Sequence, residues 1–286
     1  MRTQYEIYLG THVRRVKLSG TQAVPINLEN VEELTSQFRS LSPAVVIHTA
    51  GLTNVDECER NPEAAFHANA ELARHVAQAA RQVGAKLIHI STDHLFSGMN
   101  KLCMEDAVPE PVNVYAKTKL KAEEWVVDEN PDALVVRTNF FGWGHAKRQS
   151  LSDWIIYSLR ADKTIALFDD VYFTPILADT LAVTAHQLAD MNERGIFHIV
   201  GDERISKYEF GYKIANAFGL PTRLILRSTL SDSGLSAARP RDMSLHNGKT
   251  RRLLNAGLGD VNTFFAMLRN QEEQGRGEEL RKAIRE

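Results

Sequence analysis

Short apolar runs alternate with helix-like segments along the first half of this 286-residue chain. The runs at 43–51, 86–92 and 133–138 have the length and apolar continuity of buried strands. Between the first two, 63–83 is rich in alanine and stops at Gly84, which is typical of a helix and its C-terminal cap. Strands that are apolar throughout must be covered on both faces. The alternation therefore predicts an α/β protein with a doubly wound parallel sheet.

The same criteria predict the remaining elements. Strands are expected at 5–9, 23–28, 164–168 and 195–201, and helices at 31–38, 113–128, 151–159, 178–191 and 207–218. After residue 145 the alternation is less regular, and the charged segment at the C-terminal end predicts a solvated helix.

Charge and composition exclude several functional classes. With a net charge of −2, the chain has no global basic field for nucleic acid or an anionic membrane. No apolar run reaches the roughly 18 residues that a membrane span needs, and no signal-peptide core follows the first residues. Cys58 and Cys103 form no metal-spaced set and are most simply packing residues. The sequence predicts a cytoplasmic, reduced, metal-free protein that binds neither nucleic acid nor membrane.

Tyr115 and Lys119 lie four residues apart on one face of the predicted helix 113–128. A phenol normally titrates near pH 10, about three units too high for proton exchange at neutral pH. A nearby ammonium stabilises the phenolate, so that a tyrosine can act as a general acid or base. The same spacing is common on surface helices, so a chance pair is the alternative interpretation.

Ser91, Thr92 and Asp93 directly follow a predicted buried strand. They are therefore expected at the carboxyl edge of the sheet, where α/β proteins bind ligands. Taken alone, this tripeptide could equally be a turn or a helix cap. Together with Tyr115 and Lys119 it supplies a hydroxyl, a phenol and an ammonium, which can polarise a carbonyl and deliver a proton to it.

Several dispersed motifs, taken in chain order, resemble one family. They are the segment 49–59, Asn69, the segments 91–98 and 115–119, Arg137-Thr138, and the segments 173–175 and 238–245. The chain resembles the extended short-chain dehydrogenase/reductases, and within them it is most similar to the dTDP-4-dehydrorhamnose reductase group. The resemblance spans about residues 5 to 255. It implies a Rossmann-type sheet that lacks its usual first strand, with a small C-terminal α+β lobe.

The resemblance also implies a domain organisation and an activity. Residues 1–145 would bind NAD(P), 146–258 would mainly bind substrate, and 259–286 would be a charged helical tail. The expected reaction is the NADPH-dependent reduction of a 4-keto nucleotide deoxysugar. Tyr115 would protonate the keto oxygen, Lys119 would assist Tyr115 and hold the nicotinamide ribose, and Thr92 would hydrogen-bond the same oxygen. The partner is a nucleotide sugar, and a homodimer is compatible with the resemblance.

Small residues at the end of the strand 43–51 match the family's cofactor site. Thr49, Ala50 and Gly51 would let the cofactor approach closely, although a tight exit from the strand is an equal alternative. Asn27 and Leu28 fall at the position beside the adenine.

Basic and substrate-facing positions complete the expected site. Arg14 follows the predicted strand 5–9, which matches the second strand of the family, at the position where a base would accommodate the 2′-phosphate of NADP, so NADP is expected, with NAD as the alternative. A solvated basic turn would explain Arg14 equally well. Asp93 and Phe140 would line the nucleotide-sugar site. Arg239 would pair with a diphosphate, or would be a charge on a surface loop.

The glycine-rich turn of the family is absent. Gly10 and Gly20 are not spaced as Gly-x-x-Gly-x-x-Gly, the turn that holds a pyrophosphate at a helix N-terminus. The chain resembles the family from its second strand onward, which predicts either a truncated chain or a protein without tight dinucleotide binding.

Two other functions remain open at this point. One is a non-catalytic regulatory subunit, because the resemblance extends to the β subunit of methionine adenosyltransferase. The other is a reductase or epimerase of a different nucleotide sugar, since His94 stands where an aromatic residue is more usual.

Overall fold

The structure is a computed structural model that describes residues 5–11, 15–145 and 149–285. Its strands are β1 Tyr8–Thr11, β2 Arg15–Val16, β3 Gln22–Pro25, β4 Val45–His48, β5 Lys86–Ile90, β6 Leu134–Arg137, β7 Phe140–Phe141, β8 Ile165–Phe168, β9 Tyr172–Phe173, β10 Ile176–Leu177, β11 Gly195–His198, β12 Ile205–Ser206, β13 Ile225–Ser228 and β14 Ile284–Arg285. Its α-helices are α1 Val31–Leu41, α2 Val55–Arg60, α3 Pro62–Phe66, α4 Leu72–Val83, α5 Val114–Glu129, α6 Leu151–Arg160, α7 Ala178–Asp190, α8 Lys207–Ala217, α9 Gly248–Leu254, α10 Val261–Glu273 and α11 Arg276–Lys282. Of the helices in these ranges, none is long and apolar enough to cross a bilayer.

A four-stranded parallel sheet forms the centre of the molecule, in the order β11-β6-β5-β4. Alternate residues of its strands enter two different hydrophobic clusters. Ile88 and Leu134 belong to one cluster, whereas Leu87 and Val135 belong to the other. Both faces are therefore covered, and the predicted doubly wound parallel sheet is confirmed.

β4 lies at one end of this sheet. Among the described strands it pairs with β5 alone, and Ile47 on it is 42% exposed. The N-terminal strands form a separate parallel pair, β1-β3, with Tyr8 opposite Gln22. A sheet without its usual first strand would be divided in this way. The first strand begins at Tyr8, three residues later than predicted, because its pairing with β3 determines its extent.

The helix that carries Tyr115 and Lys119 begins where the sequence predicts. Asn113 precedes it with extended backbone, and its side-chain Oδ1 accepts a hydrogen bond from Ala116 N at 2.8 Å, which caps the helix. Asn113 Nδ2 also donates to Ala238 O at 2.9 Å. The start of α5 is thus fixed to the loop that carries Arg239.

The predicted single helix at 63–83 is interrupted. A π-helical turn, His67–Glu71, joins α3 to α4 and adds a residue to the winding. Asn69 in this turn is buried and donates from Nδ2 to Leu52 O at 3.0 Å and to Thr118 Oγ1 at 2.9 Å. The turn therefore connects the segment after β4 with α5. The preceding short helix α2, capped by Asn54, was not predicted.

The second half of the chain packs onto one face of the sheet. Apart from β11, which belongs to the central sheet, and β14, the strands from β7 onward form small pairs, β8-β13, β7-β10 and the antiparallel β9-β12. Phe141, Phe173 and Phe210 lie in the same cluster as Ile88 of the central sheet. The two halves thus share a hydrophobic core, and the division at residue 145 stays a prediction.

The expectation of a solvated C-terminal helix is wrong for α10. Val261, Phe264, Phe265 and Leu268 recur at helical spacing and are at most 1% exposed. Their apolar stripe joins the main cluster, while Arg269 and Glu273 of the same helix are exposed. After α11, β14 pairs antiparallel with β2, so the end of the chain returns to its beginning.

Candidate active site

The three predicted catalytic residues surround the segment that follows β5. The Tyr115 ring lies edge-on to the His94 ring with centroids 5.6 Å apart. Thr92 Oγ1 accepts a hydrogen bond from His94 N at 3.3 Å, and Lys119 Nζ donates to Ile90 O at 2.8 Å. The structure therefore brings Thr92, Tyr115 and Lys119 to one place at the carboxyl edge of the sheet.

Lys119 is a buried cation. Burial lowers its pKa to about 8, and the Glu123 carboxylate acts in the opposite direction. Glu123 itself is held by Arg137, whose Nη2 lies 2.8 Å from Glu123 Oε2, with both side chains nearly inaccessible to water. Lys119 is accordingly charged at neutral pH but close to the point at which it loses its proton.

Two histidines behind Lys119 were not singled out from the sequence. His89 Nε2 lies 3.4 Å from Lys119 Nζ, and His89 Nδ1 lies 3.1 Å from His48 Nδ1. Burial, helped by the Lys119 charge, lowers the pKa of His48 to about 3 and that of His89 well below its usual value. Both rings are therefore neutral at pH 7. The available signal was a histidine inside each of two successive predicted buried strands, 43–51 and 86–92.

Asp93 meets a lysine from the second half of the chain. Burial raises the pKa of Asp93 to about 6, opposed by the charge of Lys207 and by Asn139 Nδ2, which donates to Asp93 Oδ2 at 2.6 Å. Burial likewise lowers the pKa of Lys207 to about 8. Its Nζ lies 3.2 Å from the centre of the Phe173 ring. No sequence pattern indicated Lys207, because its partner is more than a hundred residues away.

The small-residue end of β4 is open to solvent in part. Thr49 and Ala50 are exposed, and Gly51 is half-buried. A Cβ at Gly51 would lie 2.6 Å from Asn69 Oδ1, so glycine is required there by the Asn69 side chain. The cofactor role of these three residues stays a prediction.

The residues predicted beside the adenine lie at the start of α1. Asn27 Nδ2 donates to Glu33 Oε2 at 2.8 Å, and Leu28 O accepts a hydrogen bond from His75 Nδ1 at 2.7 Å. Their cofactor role also stays a prediction. Arg14 lies outside the described residues.

Arg239 is not the surface charge that was its alternative interpretation. Its side chain is 14% exposed, and its Nη2 donates to Asp56 Oδ2 at 2.8 Å. It is close enough to His94 to contribute, with Lys207, to the lowered pKa of that ring, of which burial is the main cause. Phe140 is 51% exposed.

A cavity of about 500 Å³ opens beside this region. Three arginines line it, Arg204, Arg227 and Arg241, and the first two lie over the rings of Tyr172 and Tyr208. Ser206, the neighbour of Lys207, also lines it. Four carboxylates line it too, and the three arginines are paired with Asp242, Asp169 and Asp170. The charges of the cavity are therefore largely balanced, and its tyrosine rings offer surfaces on which a ring compound could stack.

The cysteines pack in the interior, as predicted. Cys58 and Cys103 are free thiols, both buried, and burial raises the pKa of Cys58 to about 11. Within the described ranges, no three His, Cys, Asp or Glu side chains are placed to hold a metal ion.

Comparison with known proteins gives a consistent family. Residues 5–263 match the family described as RmlD substrate binding domain. The chain is 32% identical over 223 residues to the probable low-salt glycan biosynthesis reductase Agl14 of Haloferax volcanii, covering 76% of this chain and 73% of that protein. It is 30% identical over 274 residues to methionine adenosyltransferase 2 subunit beta of Pongo abelii, covering 90% of this chain and 77% of that protein.

A solved structure shows the same fold. It is dTDP-4-dehydrorhamnose reductase from Bacillus anthracis in complex with NADP, with a TM-score of 0.81 and 24% identity. The match covers 88% of this chain and 90% of that chain. The protein therefore has the fold of a dTDP-4-dehydrorhamnose reductase.

Proposed function

This chain belongs to the RmlD substrate binding domain family, and from that premise we propose that it is an NADPH-dependent reductase of a 4-keto deoxysugar carried on a nucleoside diphosphate. The observation that carries the proposal is the gathering of Thr92, Tyr115 and Lys119 around the end of β5. A reductase relative and a structural neighbour that binds NADP support it.

The proposed reaction adds one hydride and one proton to a ketone. NADPH, when bound, supplies the hydride to the carbonyl carbon and becomes NADP⁺. Tyr115 donates its phenolic proton to the carbonyl oxygen, which becomes the alcohol. The Thr92 hydroxyl donates a hydrogen bond to the same oxygen, and the Lys119 ammonium favours the phenolate that Tyr115 becomes.

The residues at the nicotinamide end fit such a cofactor. Lys119 Nζ bonds Ile90 O and His89 Nε2, which leaves one of its three N–H groups for a ribose hydroxyl. The exposed Thr49 and Ala50, with Gly51, leave the end of β4 accessible to the cofactor. Asn27 and Leu28 would lie beside the adenine, and Arg14 near the 2′-phosphate. No residue is assigned to the pyrophosphate, because the sequence holds no glycine-rich turn.

The substrate would be held by groups from both halves of the chain. Asp93 and Phe140 would line the sugar, and Arg239, already oriented by Asp56, would pair with the diphosphate. The arginine-lined cavity beside them would accept the nucleoside.

Replacing the proton donor tests this proposal. In Tyr115→Phe we expect NADPH oxidation with dTDP-4-dehydrorhamnose to fall at least about a hundredfold, because general acid catalysis contributes roughly 10² to 10⁴. The urea unfolding midpoint should stay the same, since only a hydroxyl is removed. Tyr212→Phe, at a 43% exposed tyrosine, is the matched control and should retain full turnover. Unchanged turnover in the Tyr115 variant would contradict the assignment.

A second function is favoured by one observation. It is a non-catalytic binding or regulatory subunit on the same fold. The similarity to methionine adenosyltransferase 2 subunit beta supports it. A reductase or epimerase of another nucleotide sugar remains a variant of the first proposal, which turnover on a panel of nucleotide sugars would distinguish. Affinity for NADPH separates the catalytic from the non-catalytic candidate.

A further inference from the structure

A line of three buried side chains leads from the proposed active site into the sheet. It runs from Lys119 Nζ to His89 Nε2 at 3.4 Å, and from His89 Nδ1 to His48 Nδ1 at 3.1 Å. His48 and His89 are paired across β4 and β5, and their rings stack with centroids 5.3 Å apart. All three side chains are nearly inaccessible to water. Their hydrogen bonds therefore depend on one another rather than on solvent.

The charge of Lys119 determines where the imidazole protons lie. An ammonium has only donors, so His89 Nε2 must be unprotonated in order to accept from Lys119. A neutral His89 then carries its proton on Nδ1 and donates it to His48 Nδ1. His48 in turn carries its proton on Nε2. The opposite set of tautomers would require Lys119 to be a neutral amine.

We propose that His89 and His48 are positioning residues for Lys119, with His89 as the acceptor that holds the ammonium and His48 as the group that fixes the accepting tautomer of His89. The inference rests on the proposed function in one respect, which is that Lys119 assists Tyr115 in the proposed reaction. His89 and His48 touch neither substrate nor reacting atoms, and they act through Lys119.

The groups around Lys119 leave this task to His89. Glu123 on the same helix is engaged bidentately by Arg137 of β6, with Nε 3.1 Å from Oε1 and Nη2 2.8 Å from Oε2. Tyr115 is on the same face of α5, and β5 contributes the Ile90 carbonyl. His89 Nε2, 3.4 Å from Lys119 Nζ, is thus a neutral acceptor within hydrogen-bonding reach of the ammonium.

An ordinary core histidine would not need this arrangement. His198 is equally buried, and its ring bonds to backbone groups, with Nδ1 3.2 Å from the oxygen of His246. Both ring nitrogens of His89 instead contact side chains, Nε2 the Lys119 ammonium and Nδ1 the His48 ring. His48 Nε2 is buried without a hydrogen-bond partner in the described part of the chain. Leaving the His48 Nε2 group without a partner costs about 1–3 kcal/mol. The hydrogen bond that His89 accepts from Lys119 must therefore stabilise this set of tautomers enough to offset that cost.

Imidazole tautomers can be read directly by long-range ¹H–¹⁵N correlation on the full chain at pH 7. We expect His89 in the Nδ1–H form and His48 in the Nε2–H form, both uncharged. Assignment uses His89→Gln and His48→Gln. The reverse tautomers, or an imidazolium at either position, would overturn the proposal. The tautomers are read from the wild-type protein, and the variants serve only to assign its signals.

Variants of His89 test the effect on Lys119. Glutamine places an amide oxygen near the position of Nε2 and keeps the acceptor, whereas leucine removes it. In protein labelled with [¹³Cε]lysine, and with Lys119→Arg for assignment, the Lys119 titration midpoint should fall by about one pH unit in His89→Leu. It should stay close to wild type in His89→Gln.

His198→Leu is the control for the loss of a buried histidine. It should leave the Lys119 midpoint unchanged, because His198 lies outside the line. Equal midpoints in His89→Leu and His89→Gln, or an equal shift in His198→Leu, would show that His89 only fills space. None of these readouts uses turnover, so an inactive protein could still confirm the line, and an active one could still refute it.

Discussion

At Lys119, burial and a neighbouring carboxylate act in opposite directions on one ammonium. Burial dominates and lowers the pKa to about 8, although Glu123 raises it. The ordinary lysine value is about 10.4. The folded protein therefore loses this proton about two pH units before an exposed lysine would.

This shift predicts the alkaline limb of the proposed activity. Because the ammonium is required to favour the Tyr115 phenolate, the rate should be full below about pH 7 and fall as the pH rises through about 8. The measurement is kcat for NADPH oxidation between pH 6 and about 10. Lys119→Arg keeps its charge over this range. Its kcat, even if lower overall, should therefore not fall as the pH rises through about 8. A wild-type limb near the ordinary lysine value would contradict the prediction.

At the scale of elements, α10 shows how an amphipathic helix can be misread. Its sequence is polar enough to suggest a solvated tail, yet four apolar residues recur on one face and fill the main cluster. Phe264 and Phe265 pack near Phe141, with ring centroids 6.1 Å and 5.8 Å away. The helix therefore closes the core over one face of the sheet.

Truncating one ring tests the role of α10. Phe264→Ala should lower the free energy of unfolding by about 3–5 kcal/mol, because it removes a buried aromatic and leaves a cavity. Met267→Ala on the same helix, at a 39% exposed position, should change it by no more than about 0.5 kcal/mol. Urea denaturation of both variants gives the comparison. Similar small losses in the two would mean that α10 is a solvated helix after all.

At the scale of the whole molecule, the site is assembled from both halves of the chain around one edge of the sheet. Thr92, Tyr115 and Lys119 come from the first half, whereas Lys207 and Arg239 come from the second. The two halves share one hydrophobic cluster, which keeps these groups in register. The open side of β4 adjoins the end of this arrangement where the cofactor is proposed to bind.

Cofactor affinity is the prediction that belongs to the whole molecule. If the proposed contacts with the adenine, the ribose and the nicotinamide suffice without a glycine-rich turn, NADPH should bind in the micromolar range in a fluorescence titration. A concentration of 100 times Kd should then raise the free energy of unfolding by about 2.7 kcal/mol. Lys119→Met should weaken NADPH binding. Lys121→Met, on the same helix with an exposed side chain, should not. Binding no tighter than millimolar would favour the non-catalytic subunit.

The sequence by itself determined the parallel sheet, most element positions and the location of Thr92, Tyr115 and Lys119. These follow from local periodicity and from the rule that strand ends in an α/β sheet share one edge. Spacing on one helix was enough to place Tyr115 and Lys119 together.

Only the tertiary structure decided which distant groups meet them. The contacts of His48 with His89, of Lys207 with Asp93 and of Arg239 with Asp56 join residues that are far apart in the chain. The π-turn at Asn69 and the burial of α10 depend in the same way on what packs against them. The local sequence pattern encodes the period and the apolar face of an element. The partner of a buried polar group is decided by tertiary packing, because a buried polar group without a hydrogen bond is costly and its partner can come from any part of the chain.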